Sequence, residues 1–439
     1  MRHLVIGIGE LAHLDDGSTG LICGNQMHNE EKLISKNMSI LIENSLITEI
    51  KPEEDMIEEY LPSLNKKVHS DLELFNLDNC TVTNANGNAV IPGLIDAHTH
   101  LIWSGDRSNE VSLRMKGMSY REISESGGGI GHTVAQTRNS SEELLIKLGK
   151  NRLKEALRNG TTAIEAKSGY GLSTESELRL ISIMNDLSID KKNPSIDITW
   201  MGAHDIPPKI GSNEITKSEY IEEIINIQLP EVVEQGYARN CDVFCEPGWF
   251  NIEETERIID ASSNAGLSIR LHIDEFSDGN GAELAAKKNV ETADHALYSN
   301  EEGRENMAKA NVIQGFLPGA PYTMGLNKWP PINYCIENNQ PWTISTDFNP
   351  NCRILSLPSI ASICVHRLGV NPLATLCAAT RNAAKSVIHR TEKQHGMIKK
   401  GYVANINILN GDKWQGWCLQ QGSSPFKATI LEGETVFHN

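Results

Sequence analysis

The stretch IPGLIDAHTH, residues 91–100, contains the first of eight β-rich runs from which the fold can be predicted. It is an apolar run with a proline and a glycine near its start and two histidines, His98 and His100, at its end. Side chains two positions apart on a β-strand point to the same face, so both imidazoles are predicted to project into one space. Each buried imidazole has a polar nitrogen that needs a partner, and a divalent metal ion would supply it. For this pair alone, one packed histidine and one hydrogen-bonded loop histidine remain the alternative.

Seven further β-rich runs follow along the chain, and helical stretches separate them. Such a repeat of βα units within residues 90–395 predicts an α/β protein with a (β/α)₈ barrel, the TIM-barrel fold. The eight runs are GLIDAHTH, TTAIEAKSG, DITWMGAHD, CDVFCEPG, LSIRLHIDE, VETADHAL, NVIQGFLPG and PWTISTDFN.

The two chain ends have a different pattern, in which short apolar runs alternate with polar turns. SILIENSLITEIKP, residues 39–52, and KATILEGETVFHN, residues 427–439, are typical of paired strands. We therefore expect residues 1–89 and 396–439 to form one small composite β-sandwich domain beside the barrel.

Composition and charge exclude several classes of partner. The 439 residues are 39% hydrophobic and 22% charged, which is ordinary for a globular protein, and the net charge is -17. An acidic chain repels nucleic acids and anionic membranes, so neither is an expected partner, and an anionic substrate would need a local arginine. The sequence has no apolar run of roughly 18 residues and no signal peptide, which predicts a cytoplasmic protein. Its nine cysteines lack paired C-x-x-C spacing and are expected to be reduced.

Polar residues at the ends of later strands extend the histidine pair into a candidate metal site. His272 ends the fifth run, His295 ends the sixth and Asp347 ends the eighth. The carboxyl ends of barrel strands meet at the active-site rim, so these side chains are predicted to lie together. Singly, each would be a hydrogen-bonded polar residue at a strand end; in combination they favour a metal centre.

This constellation, with its lead-in PGLIDAHTH and its composite β-domain, resembles the amidohydrolase superfamily over nearly the whole chain. In members with one metal ion, the resemblance implies His98, His100, His272 and Asp347 as ligands of one divalent ion per chain, zinc or iron. Members with two ions usually carry a carboxylated lysine on the fourth strand, where this chain has Glu246. Binding of a second ion by Glu246 or His295 remains an alternative.

A hydrolytic reaction at such a site also needs groups that move protons. The metal supplies activated water at neutral pH, and a general base and acid must handle the protons of the water and the departing nitrogen. Glu275, three residues beyond His272, is the candidate for that role, and a solvated loop carboxylate is its alternative. His295 is predicted to stabilise an oxyanion or relay a proton, and Asp347 to contact both metal and water.

Longer motifs resemble one family within the superfamily, the imidazolonepropionases. They include HTHLIWSGDRSNE, GGGIGHTVAQTR, TTAIEAKSGYGL, CEPGWF, HIDEFSD and TDFNPN. The resemblance implies hydrolysis of the ring amide of 4-imidazolone-5-propanoate to N-formimidoyl-L-glutamate in L-histidine degradation. It also implies a homodimer, and substrate contacts from Tyr170, His204 and Asn349.

The substrate's carboxylate tail is predicted to meet Arg107, because guanidinium binds carboxylate with two parallel hydrogen bonds. A surface pair of Arg107 with Asp106 or Glu110 is the alternative. Tyr120 is a further candidate for the pocket. The glycine-rich insertion after the first strand, residues 101–138, is expected to be a mobile lid or part of this pocket.

The chain departs from the bacterial pattern of this family at two places. Asn351 and Cys352 follow Asn349-Pro350 where a glycine and a threonine or serine are typical, which leaves their roles open. His132 stands where a serine is common.

Two other functions have to be separated from ring opening. A superfamily deaminase acting on a heterocyclic base would use similar metal chemistry but release ammonia. A non-catalytic scaffold is the second, and the presence of every predicted ligand argues against it.

Overall fold

The computed structural model describes residues 2–65, 73–207, 215–388, 393–419 and 421–438. The chain divides into two compact units. The first comprises Met1–Ile95, Glu155–Ala163 and Ser356–Asn439, and the second comprises Asp96–Lys154 and Ile164–Leu355. The domain boundaries expected from the sequence, at residues 89 and 396, stay a prediction.

The first unit contains two β-sheets. The five-stranded sheet has the order β5-β4-β1-β7-β6 and consists of β1 (Arg2–Ile6), β4 (Met38–Glu43), β5 (Leu46–Pro52), β6 (Leu74–Leu77) and β7 (Cys80–Asn84). The six-stranded sheet has the order β19-β18-β17-β8-β2-β3 and consists of β2 (Glu10–Ala12), β3 (Ile34–Lys36), β8 (Val90–Pro92), β17 (Ile406–Leu409), β18 (Phe426–Leu431) and β19 (Glu434–Phe437).

Strands from both chain ends meet in the six-stranded sheet. Val90 of β8 pairs with Leu11 near the amino end and with Ile408 near the carboxyl end. Alternate apolar residues of both sheets, such as Ile40 and Ile406, share one buried core, as period-2 patterning requires. The predicted composite β-sandwich is therefore confirmed.

The remaining eight strands form the predicted barrel. They are β9 (Leu94–Asp96), β10 (Thr161–Lys167), β11 (Ser195–Ala203), β12 (Asn240–Cys245), β13 (Ser268–Ile273), β14 (Thr292–His295), β15 (Ile313–Phe316) and β16 (Trp342–Ile344), which neighbour one another in chain order. Each pair from β11 to β16 runs parallel. A bridge between Thr99 and Phe348, just beyond β9 and β16, joins the first and last strands, and the amide of Asp347 donates to the carbonyl of His98 there at 3.1 Å.

Helices follow the strands, and local sequence signals set their ends. Asn251 accepts from the amide of Glu254 in a reciprocal capping box, and Gly266, with φ +92°, lies just past the end of that helix. The helices are Glu30–Leu33, Glu53–Tyr60, Asn109–Met115, Tyr120–Glu125, Gly129–Arg138, Glu142–Arg158, Thr174–Ser188, Lys217–Glu223, Leu229–Gln235, Ile252–Asn264, Gly281–Lys288, Glu301–Lys309, Gly319–Met324, Ile332–Glu337, Leu357–Ser362 and Pro372–Cys377.

Three expectations from sequence concern the insertion after β9, the cysteines and membrane-spanning segments. The insertion after β9 holds the three helices between Asn109 and Arg138. The nine cysteines, all within the described residues, form no disulfide. Among the described helices, none has the length and apolar character that crossing a membrane requires.

Candidate active site

Four histidines and one aspartate converge at the carboxyl ends of the barrel strands. Ligand atoms of His98, His272 and His295 lie within 4.8 Å of one another, and so do those of His98, His100 and Asp347. The Nε2 atoms of His98 and His100 are 3.7 and 3.8 Å from Oδ1 of Asp347. All five residues are buried. The structure thus brings together every side chain that the sequence placed at the rim.

The free nitrogen atoms of this cluster fit a metal ion. Nδ1 of His98 is 2.7 Å from Oδ2 of Asp294, and Nδ1 of His272 is 3.0 Å from Oδ1 of Asp242. A carboxylate beside Nδ1 holds the hydrogen there and leaves Nε2 with a lone pair. Nε2 of both rings is buried and has no hydrogen-bond partner among the described residues. Orphaned imidazole nitrogens beside a carboxylate are the donor set that zinc or iron takes.

Electrostatics also favour metal binding over protonation of the imidazoles. Burial lowers the pKa of His98, His100 and His295 well below the ordinary value, and neighbouring imidazoles act in the same direction. Only a neutral imidazole can donate a lone pair to a metal, so these rings are in the binding-competent form at neutral pH.

The backbone of two site residues lies in the left-handed region. His295 has φ 65° and Asp347 has φ 50°. Histidine, asparagine and aspartate tolerate this conformation better than most residues, but it still costs free energy. It turns the chain off β14 and β16 where these side chains reach the cluster.

Glu275 lies just beyond β13, close to His295. Its Oε2 is 3.7 Å from Nε2 of His295, and its side chain is only 12% exposed. Burial, together with the carboxylates of Asp347 and Glu246, raises the pKa of Glu275 well above its ordinary value. The surroundings are therefore those of a buried acid–base group and not of a solvated loop carboxylate. Glu246 accepts from the amide of Glu275 at 2.9 Å and from Ser277, so its oxygens are used within this loop.

A pocket opens onto the cluster. Its lining includes all six residues predicted to bind substrate: Arg107, Tyr120, Tyr170, His204, Glu275 and Asn349. It also includes Asn351, whose role the sequence left open, and five residues that the sequence did not single out: Ile130, Phe244, Phe276, Ala320 and Met324. The insertion after β9 contributes Arg107, Tyr120 and Ile130, so it forms part of the pocket wall.

Arg107 is buried in this wall and paired with Glu110. Its Nε and Nη2 donate to the two carboxylate oxygens of Glu110 at 2.9 and 2.8 Å, and its guanidinium lies 5.4 Å from the ring centre of Tyr120. The alternative expected a surface pair; the partner is Glu110, but the pair is buried, and Asp106 pairs with Arg353 instead. Nη1 of Arg107 lies outside this two-pronged contact.

His204 and Tyr170 also line the pocket, and their rings lie against the histidine cluster. The ring of His204 stacks on His100 at 4.9 Å with an interplanar angle of 19°, and the ring of Tyr170 is 5.6 Å from that of His100. Nδ1 of His204 is 2.8 Å from the carbonyl oxygen of Gly169, which makes Nδ1 the donor. The remaining nitrogen, Nε2, is the hydrogen-bond acceptor of this ring.

Comparison with known proteins gives the family. The chain is 37% identical to an imidazolonepropionase from Shewanella sediminis over 376 residues, which is 84% of this chain and 86% of that protein. It is 38% identical to an imidazolonepropionase from Shewanella pealeana, covering 78% of this chain and 83% of that one. The chain belongs to the imidazolonepropionase family. No protein-family model matches it.

Solved structures show the same fold at much lower sequence identity. An atrazine chlorohydrolase from Arthrobacter aurescens, complexed with zinc, aligns with a TM-score of 0.68 and 14% identity over 99% of this chain and 95% of that one. At this identity the likeness concerns the fold alone, a barrel with an added β-sandwich.

The loop after β16 shows how the chain accommodates its departures from the bacterial imidazolonepropionase pattern. Asn351 does not have positive φ, so this position does not need glycine. Its Oδ1 accepts from Nη1 of Arg114 at 2.7 Å, and Cys352 is fully buried. Asn349 accepts from the amides of both residues and donates to the carbonyl of Asp347. Its polar atoms therefore hold the loop, and its contact with substrate stays a prediction. His132 is half-buried and outside the pocket lining.

Sequence reasoning missed the carboxylates that orient the imidazoles, Asp242 and Asp294. A signal was available in the runs quoted above. Charged residues occupy inward positions of strands that should be apolar: Asp242 lies two positions from Phe244, and Arg270 two positions from His272. Buried charges of this kind need partners, which the imidazoles and their neighbours provide.

Proposed function

We propose that the chain hydrolyses the ring amide of 4-imidazolone-5-propanoate to N-formimidoyl-L-glutamate. The observation that carries the proposal is that an arginine and a neutral imidazole–carboxylate cluster line one buried pocket. A small ring with a carboxylate tail could contact the cluster and the arginine in the same pocket. The two Shewanella imidazolonepropionases, at 37% and 38% identity, support the same reaction.

One divalent ion, zinc or iron, is proposed to bind His98, His100, His272 and Asp347. Such an ion supplies Lewis acidity and lowers the pKa of a water molecule towards 7. His295 lies close enough to be a fifth ligand, since it shares a cluster with His98 and His272. Its 3.7 Å separation from Glu275 favours a role in proton transfer or in stabilising the carbonyl oxygen.

Glu275 is proposed to carry the proton. Water adds to the ring carbonyl carbon, the bond from that carbon to the ring nitrogen breaks, and the nitrogen needs a proton. An ionised Glu275 accepts the proton from water and, once protonated, donates it to the nitrogen. Burial raises the pKa of Glu275, which makes its carboxylate a stronger proton acceptor than an ordinary glutamate.

Arg107 is proposed to bind the substrate's carboxylate, with Tyr120 beside it. The pair with Glu110 fixes the guanidinium before substrate arrives, which lowers the entropic cost of binding. Tyr170, His204 and Asn349 are proposed to complete the contacts with the ring side of the substrate. The cytoplasmic homodimer implied by the family resemblance stays a prediction.

An assay with imidazolonepropanoate tests the proposal. We expect loss of the imidazolone absorbance, a product with the mass of substrate plus one water, and no stoichiometric ammonia. Release of ammonia would instead identify a deaminase. Purified protein with far less than one zinc or iron per chain and no turnover after metal addition would favour a scaffold.

A further inference from the structure

A fully buried lysine lies beneath the metal cluster, inside the barrel. Nζ of Lys167, on β10, is 2.7 Å from Oδ2 of Asp242 and 2.9 Å from Oε1 of Glu165, and all three side chains are inaccessible to solvent. Oδ1 of Asp242 is 3.0 Å from Nδ1 of His272. One ammonium group is thus linked through one carboxylate to a candidate metal ligand.

The second carboxylate, that of Glu165, links Lys167 to the histidine pair just beyond β9. Thr99 lies between His98 and His100, and its amide donates to Oε2 of Glu165 at 3.3 Å. Its hydroxyl donates to the carbonyl of Glu165 at 2.7 Å, and the amide of Lys167 donates to the carbonyl of Thr99 at 2.9 Å. Lys167 and Glu165 therefore contact the segment that carries His98 and His100 as well as Asp242, the partner of His272.

The geometry points to Lys167 as a positioning residue for the metal site, which fixes the ring of His272 by pinning the carboxylate of Asp242. Oδ1 of Asp242 contacts the imidazole, and Oδ2 forms an ion pair with the ammonium at 2.7 Å, so rotation of the carboxylate would separate it from one or the other. A carboxylate held in one orientation keeps the hydrogen of His272 on Nδ1 and keeps Nε2 of that ring directed at the histidine cluster. This inference rests on the proposed ligand role of His272.

His98 also has a carboxylate beside its Nδ1 and a cation beyond it, but this cation is farther from its carboxylate than Lys167 is from Asp242. Its Nδ1 meets Asp294 at 2.7 Å, and Nη2 of Arg270 is 3.9 Å from the same carboxylate oxygen. Arg270 also donates to the carbonyl of Ala97 at 2.7 Å. Since the cation–carboxylate distance is shorter at Lys167, the effect of removing the cation should be clearest there.

The test measures metal affinity, which does not depend on turnover. Metal-free Lys167→Met protein should bind zinc about 10- to 100-fold more weakly than the parent, by competition with a chelator, because partners of ligating imidazoles have effects of that size. With cobalt in place of zinc, the visible spectrum should change in position or intensity. Arg381→Met is the matched control: it also removes a buried cation paired with a carboxylate, Asp16, and we expect its zinc affinity to stay within about two-fold of the parent.

A double-mutant cycle with Asp242→Asn shows whether Lys167 acts through Asp242. If it does, adding Lys167→Met to Asp242→Asn weakens zinc binding by much less than in the parent. Unchanged zinc affinity and cobalt spectrum in folded Lys167→Met protein, fully additive effects, or equal weakening in Arg381→Met would each overturn the inference.

Removing Lys167 leaves two buried carboxylates, so the single variant is at risk of not folding. Lys167→Met combined with Glu165→Gln removes one of those charges and keeps the same affinity measurement, with Glu165→Gln alone as its reference. Zinc affinity is measured without substrate. Failure of the imidazolonepropanoate assay with normal zinc binding would therefore count against the proposed function and not against this inference.

Discussion

The two ends of the substrate pocket are built in different ways. The imidazole–carboxylate end stands on the ends of barrel strands, where backbone pairing fixes the positions of His98, His272 and Asp347. The Arg107 end belongs to the insertion after β9, where side-chain contacts such as the pair with Glu110 fix the position of the guanidinium. Under the proposed function, the reacting end is set by the fold, whereas the recognising end, which would bind the substrate's carboxylate, is set by local side-chain interactions.

The largest expected effect comes from breaking the strand-borne end. Asp347→Asn should lower kcat/KM by on the order of 10³-fold or more, because it removes a charged metal ligand from chemistry worth several kcal/mol. Metal content and kcat/KM are measured together. Chelator treatment of the parent should cause a comparable loss, and added zinc or iron should restore the parent but not the variant. Full activity after metal removal would contradict the metal site.

Glu275→Gln should lower kcat by about 10²- to 10⁴-fold with little change in KM, because the amide cannot transfer a proton. Burial near Asp347 and Glu246 raises the pKa of Glu275, and the group must be ionised to accept the proton from water. The parent's kcat/KM should therefore rise with pH through a limb above the ordinary glutamate range. A variant with unchanged kcat would remove Glu275 from the mechanism.

At the recognising end, Arg107→Met should raise KM by about 10- to 100-fold with a much smaller change in kcat. It removes a charge-assisted contact that is similar in the ground and transition states. Metal content should stay at the parent's level, which separates this end from the other. A normal KM with a collapsed kcat would mean that the two ends are coupled.

The smallest effect is expected from loosening the insertion without touching the pocket. Ser119 caps the helix that begins at Tyr120, in a capping box with Glu122. Ser119→Ala should cost about 1 kcal/mol of local stability and raise KM by up to about five-fold. Asn251→Ala removes the equivalent cap of a barrel helix and is the control; its thermal stability should fall while KM stays unchanged.

The same contrast explains what the sequence could predict. Strand periodicity and strand ends give the barrel, the sandwich and the convergence of His98, His100, His272 and Asp347, because these depend on the backbone alone. Helix caps are determined less sharply by sequence: Ser140 and Ser141 both precede the helix that begins at Glu142, and the hydroxyl of Ser141 accepts the amide of Leu144 there. Two adjacent serines offer the same chemistry, so sequence does not distinguish them.

Side-chain pairs inside the pocket could not be predicted in this way. The burial of Arg107 against Glu110 depends on how the insertion folds back, since Glu110 also accepts the amide of Gly129 at 2.8 Å. The contact of Arg114 with Asn351 joins residues far apart in the chain, and no local sequence pattern predicts it. The link from Lys167 to His272 likewise depends on the positions of three strands, β10, β12 and β13, of which only β12 and β13 pair directly.

The left-handed backbone at His295 and Asp347 restricts which side chains could be placed there if the proposed site were redesigned for another metal. A replacement for the proposed ligand Asp347, or for His295 beside it, must accept positive φ, which favours aspartate, asparagine, histidine and, without a donor, glycine. A β-branched ligand such as threonine would strain the main chain at these two positions, whatever its affinity for the metal. Libraries that vary His100 or His272, where no such restriction applies, offer the wider choice of donors.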